Sequence, residues 1–184
     1  MATEIEKKYR LEDGDAERLA STLAEFNAEY LGEDHEENII FSSSSLAENA
    51  SVVRIRRIDG RAILTYKRRL PGISDLKHQI EYETEIADAD AMTAILESLG
   101  LEPKIVYEKR RRKWRLRSAE VVLDVLPFGS FMEIEGSVTA IKEAEMLLDA
   151  EELEAVADTY PRLTAALGKK VDGRIEARFD HSSR

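Results

Sequence analysis

Charged and apolar side chains alternate in short runs over residues 3–136, and this period of two constrains the fold more than any other feature of the chain. Alternate side chains of a β-strand point to opposite faces, so each run predicts a strand with one charged and one apolar face. The predicted strands lie at 3–11, 35–42, 50–58, 61–70, 78–87, 104–117, 120–126 and 130–136. Strands of this kind with helices inserted between them predict an α+β fold in which antiparallel pairing dominates.

Helical periodicity marks three segments between and after the strands. The first is expected to begin with Asp15 as its cap and to end at Gly32, with Leu19, Leu23, Phe26 and Tyr30 on its apolar face. The second follows Asp88 or Asp90 and ends at Gly100. The third, about 139–168, predicts two or three helices, of which the last begins at Pro161.

Turn residues separate the strands at three places. Asp59-Gly60 predicts a tight hairpin, and Pro71-Gly72 predicts a loop. The serines at 42–45 predict a short polar loop rather than a linker between domains. We therefore expect residues 1–184 to form one domain, with a strand region at about 3–136 and a helical C-terminal segment.

The sign of the charge is often uniform within one strand. Acidic runs contain Glu4 and Glu6, then Glu81 and Glu83, then Asp124, and finally Glu133 and Glu135; basic runs contain Lys8, Arg54, Arg56, Lys67, Lys109 and Arg111. An antiparallel sheet with one solvated face would explain the alternation alone. Segregated signs, together with helices available to cover the apolar faces, favour a closed barrel whose interior is charged. About eight strands enclose room for one small ligand.

A barrel filled with these ions has to hold water, metal ions or a ligand, because each unpaired buried ion costs several kcal/mol. Carboxylates suit Mg²⁺ or Mn²⁺, and paired arginines and lysines suit phosphate oxygens. The pattern therefore indicates a site for a metal ion and a polyphosphate.

Composition narrows the remaining classes of protein. A net charge of −10 argues against a general nucleic-acid or anionic-membrane binder. The chain has no cysteine and three histidines without ligand spacing, so thiolate chemistry is absent. Neither a membrane span nor a secretory signal is visible, and we expect a cytoplasmic protein.

The charged motifs, in their order along the chain, resemble those of the CYTH family of triphosphate tunnel metalloenzymes. That family includes class IV adenylate cyclases, thiamine triphosphatases and inorganic triphosphatases. The similarity covers residue 4 to about 136 and rests on seven motifs: ExExK at Glu4, Glu6 and Lys8; RxR at Arg54 and Arg56; TYK at Lys67; ExE at Glu81 and Glu83; KxR at Lys109 and Arg111; an acidic strand at Asp124; and GxFxEIE at Gly129, Phe131, Glu133 and Glu135. ExExK alone is weakly specific, whereas the ordered set is strong.

The resemblance implies a closed eight-stranded antiparallel β-barrel, or tunnel, with a charged lumen and helices packed outside. It also implies a Mg²⁺ or Mn²⁺ requirement and a triphosphate-containing substrate such as tripolyphosphate, ATP or thiamine triphosphate. Substrate binding is expected from Lys8, Arg54, Arg56, Lys67, Lys109 and Arg111, and metal binding from Glu4, Glu6, Asp124, Glu133 and Glu135. Glu4, Glu6 and Lys8 are the expected catalytic residues. Glu81 and Glu83 are either metal ligands or holders of the basic side chains.

Several functions remain open at this level. Hydrolysis of the terminal phosphate is favoured, with one metal ion orienting the triphosphate and a second polarising water. The alternative is a class IV adenylate cyclase, although the histidine–phenylalanine pair before ExExK is absent. A non-catalytic polyphosphate or nucleotide binding module and an RNA-binding module centred on KRRRKWRLR are further alternatives. The family's arginine before ExE is replaced by Gln79, so that one cationic contact is either lost or supplied by Lys77 or His78.

Overall fold

The computed structural model describes residues 2–70 and 77–180, and the side chains of residues 2–4 and 77–78 lie outside the described part. The strands are β1 (Ala2–Leu11), β2 (Glu29–Ser42), β3 (Ser51–Ile58), β4 (Arg61–Arg69), β5 (Lys77–Ile86), β6 (Glu102–Leu116), β7 (Ala119–Leu126), β8 (Gly129–Glu135), β9 (Lys169–Val171) and β10 (Arg174–Ala177). The helices are α1 (Asp15–Glu25), α2 (Ser44–Glu48), α3 (Ala89–Ser98), α4 (Val138–Leu147) and α5 (Tyr160–Leu167), with a 3₁₀ turn at Ala150–Glu152. Within the described residues, no helix is long and apolar enough to span a membrane.

Strand pairing produces one strongly curled sheet. Its order is β2-β3-β4-β5-β1-β8-β7-β6-β10-β9, and β2, one of the eight strands β1 to β8, also pairs with β6. All pairs among these eight strands are antiparallel. The junction of β1 with β5 is short, running from Ala2↔Glu81 to Glu6↔Lys77. The predicted α+β fold with dominant antiparallel strands is confirmed. The sheet is strongly curled, and its full closure into an eight-stranded barrel stays a prediction.

The apolar face of the sheet lies under helices on the outside of the curl. Leu19 and Leu23 of α1 pack with Trp114 and Leu116, and both leucines are fully buried. On another part of the outer face, Leu96 of α3 packs with Phe41 and Ile55. Burial of each of these leucines contributes about 2 kcal/mol. Because strand parity is fixed, this packing directs the charged side chains to the inner face.

Helix α5 departs from the prediction that all helices pack outside. Tyr160 and Leu163 pack with Tyr107 and Phe131, whose strand parity is that of the inward-pointing Lys109 and Glu133. The helix therefore covers part of the inner face, and the prediction was wrong for this element. Its amphipathic pattern does require an apolar partner, but either face of the sheet can supply one.

Local signals explain most element boundaries. Asp59-Gly60 forms the predicted two-residue hairpin between Ile58 and Arg61, with φ of +46° and +82°. Asp88 caps α3, as predicted, by accepting hydrogen bonds from two backbone N–H groups. The predicted loop at Pro71-Gly72 lies outside the described residues.

Other boundaries were predicted wrongly. Gly14, rather than Asp15, precedes the first helical residue of α1, and Asp15 instead accepts a hydrogen bond from the backbone N–H of Glu12. Asn27, at a φ of +53°, stops the helix early, so Tyr30 belongs to β2. Within the serine run, the Ser43 hydroxyl caps the short helix α2 instead of lying in a loop. Strands β9 and β10 were not predicted.

Candidate functional site

A cavity of about 730 Å³ lies on the inner face of the sheet. Of the predicted site residues, its wall contains Glu6, Lys8, Arg54, Arg56, Lys67, Glu81, Glu83, Lys109, Arg111, Glu133 and Glu135. Gln79, at the position where the family has a basic residue, also lines it. The Glu4 side chain lies outside the described part of the chain. The structure thus gathers these side chains from six strands, β1, β3, β4, β5, β6 and β8, around one space.

The acidic part of the wall is formed where β1, β8 and β7 lie side by side. Glu6 pairs across with Glu135, and Glu135 pairs across with Glu120. All three carboxylates line the cavity. Directly opposed like charges on neighbouring strands are destabilising, so this row favours a cation beside it. Glu120 was missed from sequence, although it has the same strand parity as Asp124.

Lys8 separates this acidic row from the deeper residues. It faces Glu133 across the β1–β8 pair, with Nζ 3.2 Å from Glu133 Oε1, and its side chain is almost fully buried. Its Nζ also donates to the Asp158 carbonyl oxygen at 3.3 Å. The ammonium is therefore held in a fixed place at the cavity wall.

The donor set fits a hard divalent cation. Glu6, Glu133 and Glu135 offer carboxylate oxygens, which Mg²⁺ and Mn²⁺ prefer. Among the described side chains, no three carboxylates or histidines already lie close enough to hold an ion. Mg²⁺ is commonly held by one or two carboxylates together with substrate phosphates, so this arrangement suits an ion that enters with its substrate.

The basic part of the wall is formed by β3, β4 and β6, and acids of β5 pair with its β3 and β4 side chains. Lys67 Nζ lies 2.8 Å from Glu81, and Arg54 lies 3.9 Å from Glu81 and 3.8 Å from Glu83. Thr65 donates to Glu83 at 3.0 Å and accepts from Arg54 at 3.3 Å. Glu81 and Glu83 therefore contact the basic side chains in this structure, and the choice between holding them and binding metal stays a prediction.

Asp124 is fully buried and does not line the cavity. The two oxygens of its carboxylate accept from Arg111, at 2.7 Å from Nε and 2.5 Å from Nη2. Oδ2 accepts further from the Tyr160 hydroxyl at 2.7 Å, and Lys109 Nζ lies 3.4 Å away. Its metal-binding role stays a prediction; in this arrangement the carboxylate orients cations.

Glu36, on β2, completes the buried charge cluster and was missed from sequence. Its Oε2 lies 3.1 Å from Arg56 Nε and 3.5 Å from Lys109 Nζ. Asn38 donates to the same oxygen at 3.2 Å. Burial alone would raise the pKa of Glu36, but Lys109, Arg56 and Arg111 together lower it to about 2. The sequence signal was an acid of inward parity on a strand that otherwise carries few inward charges.

The pKa of Lys109 is lowered, whereas an acidic partner ordinarily raises the pKa of a lysine. Burial and the nearby Arg111 lower its pKa to about 8, against the attraction of Asp124 and Glu36. The pKa values of Glu36 and Lys109 are both lowered, because nearby cations favour the charged form of the carboxylate and disfavour the charged form of the ammonium. Lys109 therefore loses its proton closer to neutrality than an exposed lysine does.

Tyr160, the first residue of α5, has its side chain among the predicted site residues. It lines the cavity, and its hydroxyl donates to Asp124. Burial, followed by the charge of Asp124, raises its pKa well above the ordinary value for tyrosine. The phenol therefore stays protonated and acts as a donor.

The basic run KRRRKWRLR does not form one basic surface. Lys109 and Arg111 point to the cavity, whereas Lys113 and Arg115 pair with acids on β2 at 2.6 Å and 3.0 Å. Trp114 is buried beneath α1. A stacking platform for RNA bases would need exposed aromatic rings on a basic surface, and this strand does not provide them.

Comparisons with known proteins agree with the fold. The chain resembles the PH1012 protein of Pyrococcus horikoshii at 24% identity, covering 87% of this chain and 98% of that one, with a TM-score of 0.74. It resembles an adenylate cyclase candidate from Vibrio parahaemolyticus at 21% identity, covering 88% and 97%, with a TM-score of 0.69.

A protein from Hippeastrum, an adenylyl cyclase candidate described as having a dominant triphosphatase activity, has 21% identity, coverages of 94% and 99% and a TM-score of 0.66. No curated protein matches. The CYTH domain model matches residues 2–160, and the chain therefore belongs to the CYTH domain family.

Proposed function

We propose that this protein is a divalent-metal-dependent triphosphatase that hydrolyses the terminal phosphate of an inorganic or organic triphosphate. The observation that carries the proposal is the division of one cavity wall into a basic part, on β3, β4 and β6, and an acidic part, on β1, β7 and β8. The basic part suits the phosphate oxygens of an extended polyanion, and the acidic part suits the metal ions that bind with it. We also propose that the curled sheet works as a tunnel around the substrate.

The basic side chains would bind and neutralise the phosphate chain. Arg54 supports this role because its Nε is buried and, among the described residues, has no hydrogen-bond partner. An unsatisfied buried donor costs about 1–3 kcal/mol, and a phosphate oxygen would satisfy it. The ion pairs of Arg54 with Glu81 and Glu83, at 3.9 Å and 3.8 Å, are long enough to be exchanged for a ligand.

The acidic side chains would hold the metal ion. Glu6, Glu133 and Glu135 are the described candidates, and Glu4 joins them through the family motif. A bound divalent cation neutralises phosphate charge and lowers the pKa of coordinated water. The chain itself contributes orientation: Lys8 and Arg111 are held by Glu133, at 3.2 Å and 2.5 Å, between the acidic row and the basic wall.

The cyclase alternative is favoured by one feature of the cavity. Beside Arg54, the wall is apolar and is formed by Ile40, Val52 and Pro161. Such a surface suits the organic part of a substrate, which inorganic tripolyphosphate lacks. An adenine seated there would place ATP with its triphosphate along the basic residues.

A substrate panel tests the proposal and separates the alternatives. Tripolyphosphate, ATP and thiamine triphosphate are each incubated with Mg²⁺, Mn²⁺ or excess EDTA, and the products are separated. We expect release of phosphate that stops with EDTA and returns with the metal. Formation of cyclic AMP and pyrophosphate from ATP would show the cyclase reaction instead of hydrolysis. Binding without turnover would indicate a non-catalytic binding module.

A matched pair of variants shows whether the cavity carries the activity. Arg54→Gln removes a cavity cation, whereas Arg115→Gln removes an exposed arginine that pairs with Glu29 outside the cavity. We expect loss of activity in the first variant alone. Equal activity in both, or full turnover in EDTA, would contradict the proposal.

A further inference from the structure

Tyr160 occupies a place in the site that the sequence motifs do not assign. It is the first residue of α5 and is 6% exposed. Its aromatic ring lies against two of the cavity lysines, with Lys8 Nζ 3.4 Å and Lys109 Nζ 5.3 Å from the ring centroid. Its hydroxyl lies 2.7 Å from Asp124 Oδ2. The Tyr160 side chain thus contacts the two lysines through its ring and Asp124 through its hydroxyl.

The hydroxyl acts on Arg111 through Asp124. Asp124 Oδ2 receives both the Tyr160 hydroxyl and Arg111 Nη2, the latter at 2.5 Å. The carboxylate is fully buried, so its orientation is fixed by these donors rather than by water. Arg111 in turn reaches Glu133 at 2.5 Å. Removal of the hydroxyl would leave the carboxylate freer to rotate and carry the guanidinium with it.

The ring acts on Lys8 directly. A cation over the face of an aromatic ring is attracted by the ring's quadrupole, and the attraction is stronger where water is excluded. Lys8 is held on its other sides by Glu133 Oε1 at 3.2 Å and by the Asp158 carbonyl oxygen at 3.3 Å. Asp158 lies two residues before Tyr160, so the same segment supplies both the ring and this carbonyl oxygen.

We propose that Tyr160 is a positioning residue for the reaction: its ring fixes the Lys8 ammonium, and its hydroxyl fixes the Asp124–Arg111 pair. The inference rests on the proposed triphosphatase function. The two contributions are chemically separable, because phenylalanine keeps the ring and loses the hydroxyl, whereas leucine loses both.

The chain offers a matched control on the other side of the sheet. Tyr9 is also buried, and its hydroxyl also donates to a buried carboxylate, that of Glu145 on α4. Both groups belong to the outer face and do not line the cavity. Tyr9→Phe therefore repeats the chemical change of Tyr160→Phe without touching the site.

The experiment measures kcat and KM for tripolyphosphate with Mg²⁺, the Kd of tripolyphosphate by calorimetry, and the melting temperature for Tyr160→Phe, Tyr160→Leu and Tyr9→Phe. Loss of a partner that orients a metal ligand typically costs 10–100-fold in metal affinity or activity, and we take the same range for a partner that orients a substrate-binding cation. We expect kcat/KM and affinity to fall about tenfold in Tyr160→Phe and about a hundredfold in Tyr160→Leu. Tyr9→Phe should lower only the melting temperature.

Two outcomes would overturn the inference. One is wild-type kinetics and affinity in both Tyr160 variants; the other is a kinetic loss in Tyr9→Phe that matches the Tyr160→Phe loss at equal melting temperature. The proposed function is judged separately by turnover of the wild-type protein. If the wild type binds tripolyphosphate without turnover, the Kd series alone decides the positioning role, and if it binds none, both proposals fail.

Discussion

Glu36 gives the sharpest test of the electrostatics inside the sheet. It is ionised, buried and faced by Arg56 and Lys109 at 3.1 Å and 3.5 Å. Glu36→Gln keeps the size of the side chain and the contact with Asn38 while removing the negative charge. Removing one member of a buried ion cluster leaves the remaining cations uncompensated, so we expect the variant to be less stable at neutral pH.

The pKa of Glu36 sets the size of the effect. It falls from 4.5 to about 2 on folding. Each unit corresponds to about 1.4 kcal/mol, so the ionised carboxylate contributes about 3 kcal/mol of unfolding free energy. Because the folded pKa is depressed, this contribution is fully present above pH 4.5 and is lost as the pH falls through about 2. By pH 3, about 2 kcal/mol should already be gone.

Urea unfolding at pH 7, 5, 4 and 3 measures this directly, with the fluorescence of Trp114, the single tryptophan, as the probe. The difference in unfolding free energy between wild type and Glu36→Gln should narrow from about 3 to about 1 kcal/mol. Glu97→Gln, at an exposed position of α3, should follow the wild-type curve. Parallel wild-type and Glu36→Gln curves across this range would refute the reasoning.

Two further predictions concern the cavity itself. Lys109, with a pKa of about 8, should lose its charge as the pH rises through that value, so kcat/KM for tripolyphosphate should fall there. Lys109→Arg should move this fall to higher pH; the same profile in both proteins would contradict the assignment. Arg56→Ala should mainly raise KM, whereas Glu6→Ala should raise the metal concentration required and lower kcat. Identical kinetic defects in the two folded variants would contradict the assignment of substrate binding to the basic part of the wall and metal binding to the acidic part.

Strand parity explains why the sequence predicted so many of the cavity residues. The face on which Arg54 or Lys67 lies is decided by its immediate neighbours, because side chains alternate in every strand. Eleven of the predicted side chains consequently line one cavity. The ordered family motifs added which strands face each other, which alternation alone does not give.

Register is a different kind of information, and it was not accessible from the sequence. Glu120 becomes notable only because it lies beside Glu135, which lies beside Glu6. Those pairings depend on the register of β1 with β8 and of β8 with β7. For the same reason, the basic partners of Glu81 and Glu83 stayed unassigned until the β4–β5 register placed Glu81 opposite Lys67.

The balance of charge around the cavity connects the metal to the triphosphate. Among the described side chains that line it, eight are lysine or arginine: Lys8, Arg54, Arg56, Lys67, Arg69, Lys109, Arg111 and Arg162. Six are glutamate: Glu6, Glu81, Glu83, Glu120, Glu133 and Glu135. Asp124 and Glu36 lie buried beside them and bring the acids to eight. The free protein is therefore nearly neutral there, and a triphosphate entering alone would make the site strongly negative. Because buried uncompensated charge is costly, we expect under the proposed function that divalent cations enter with the anion, held by the acidic row on β1, β8 and β7.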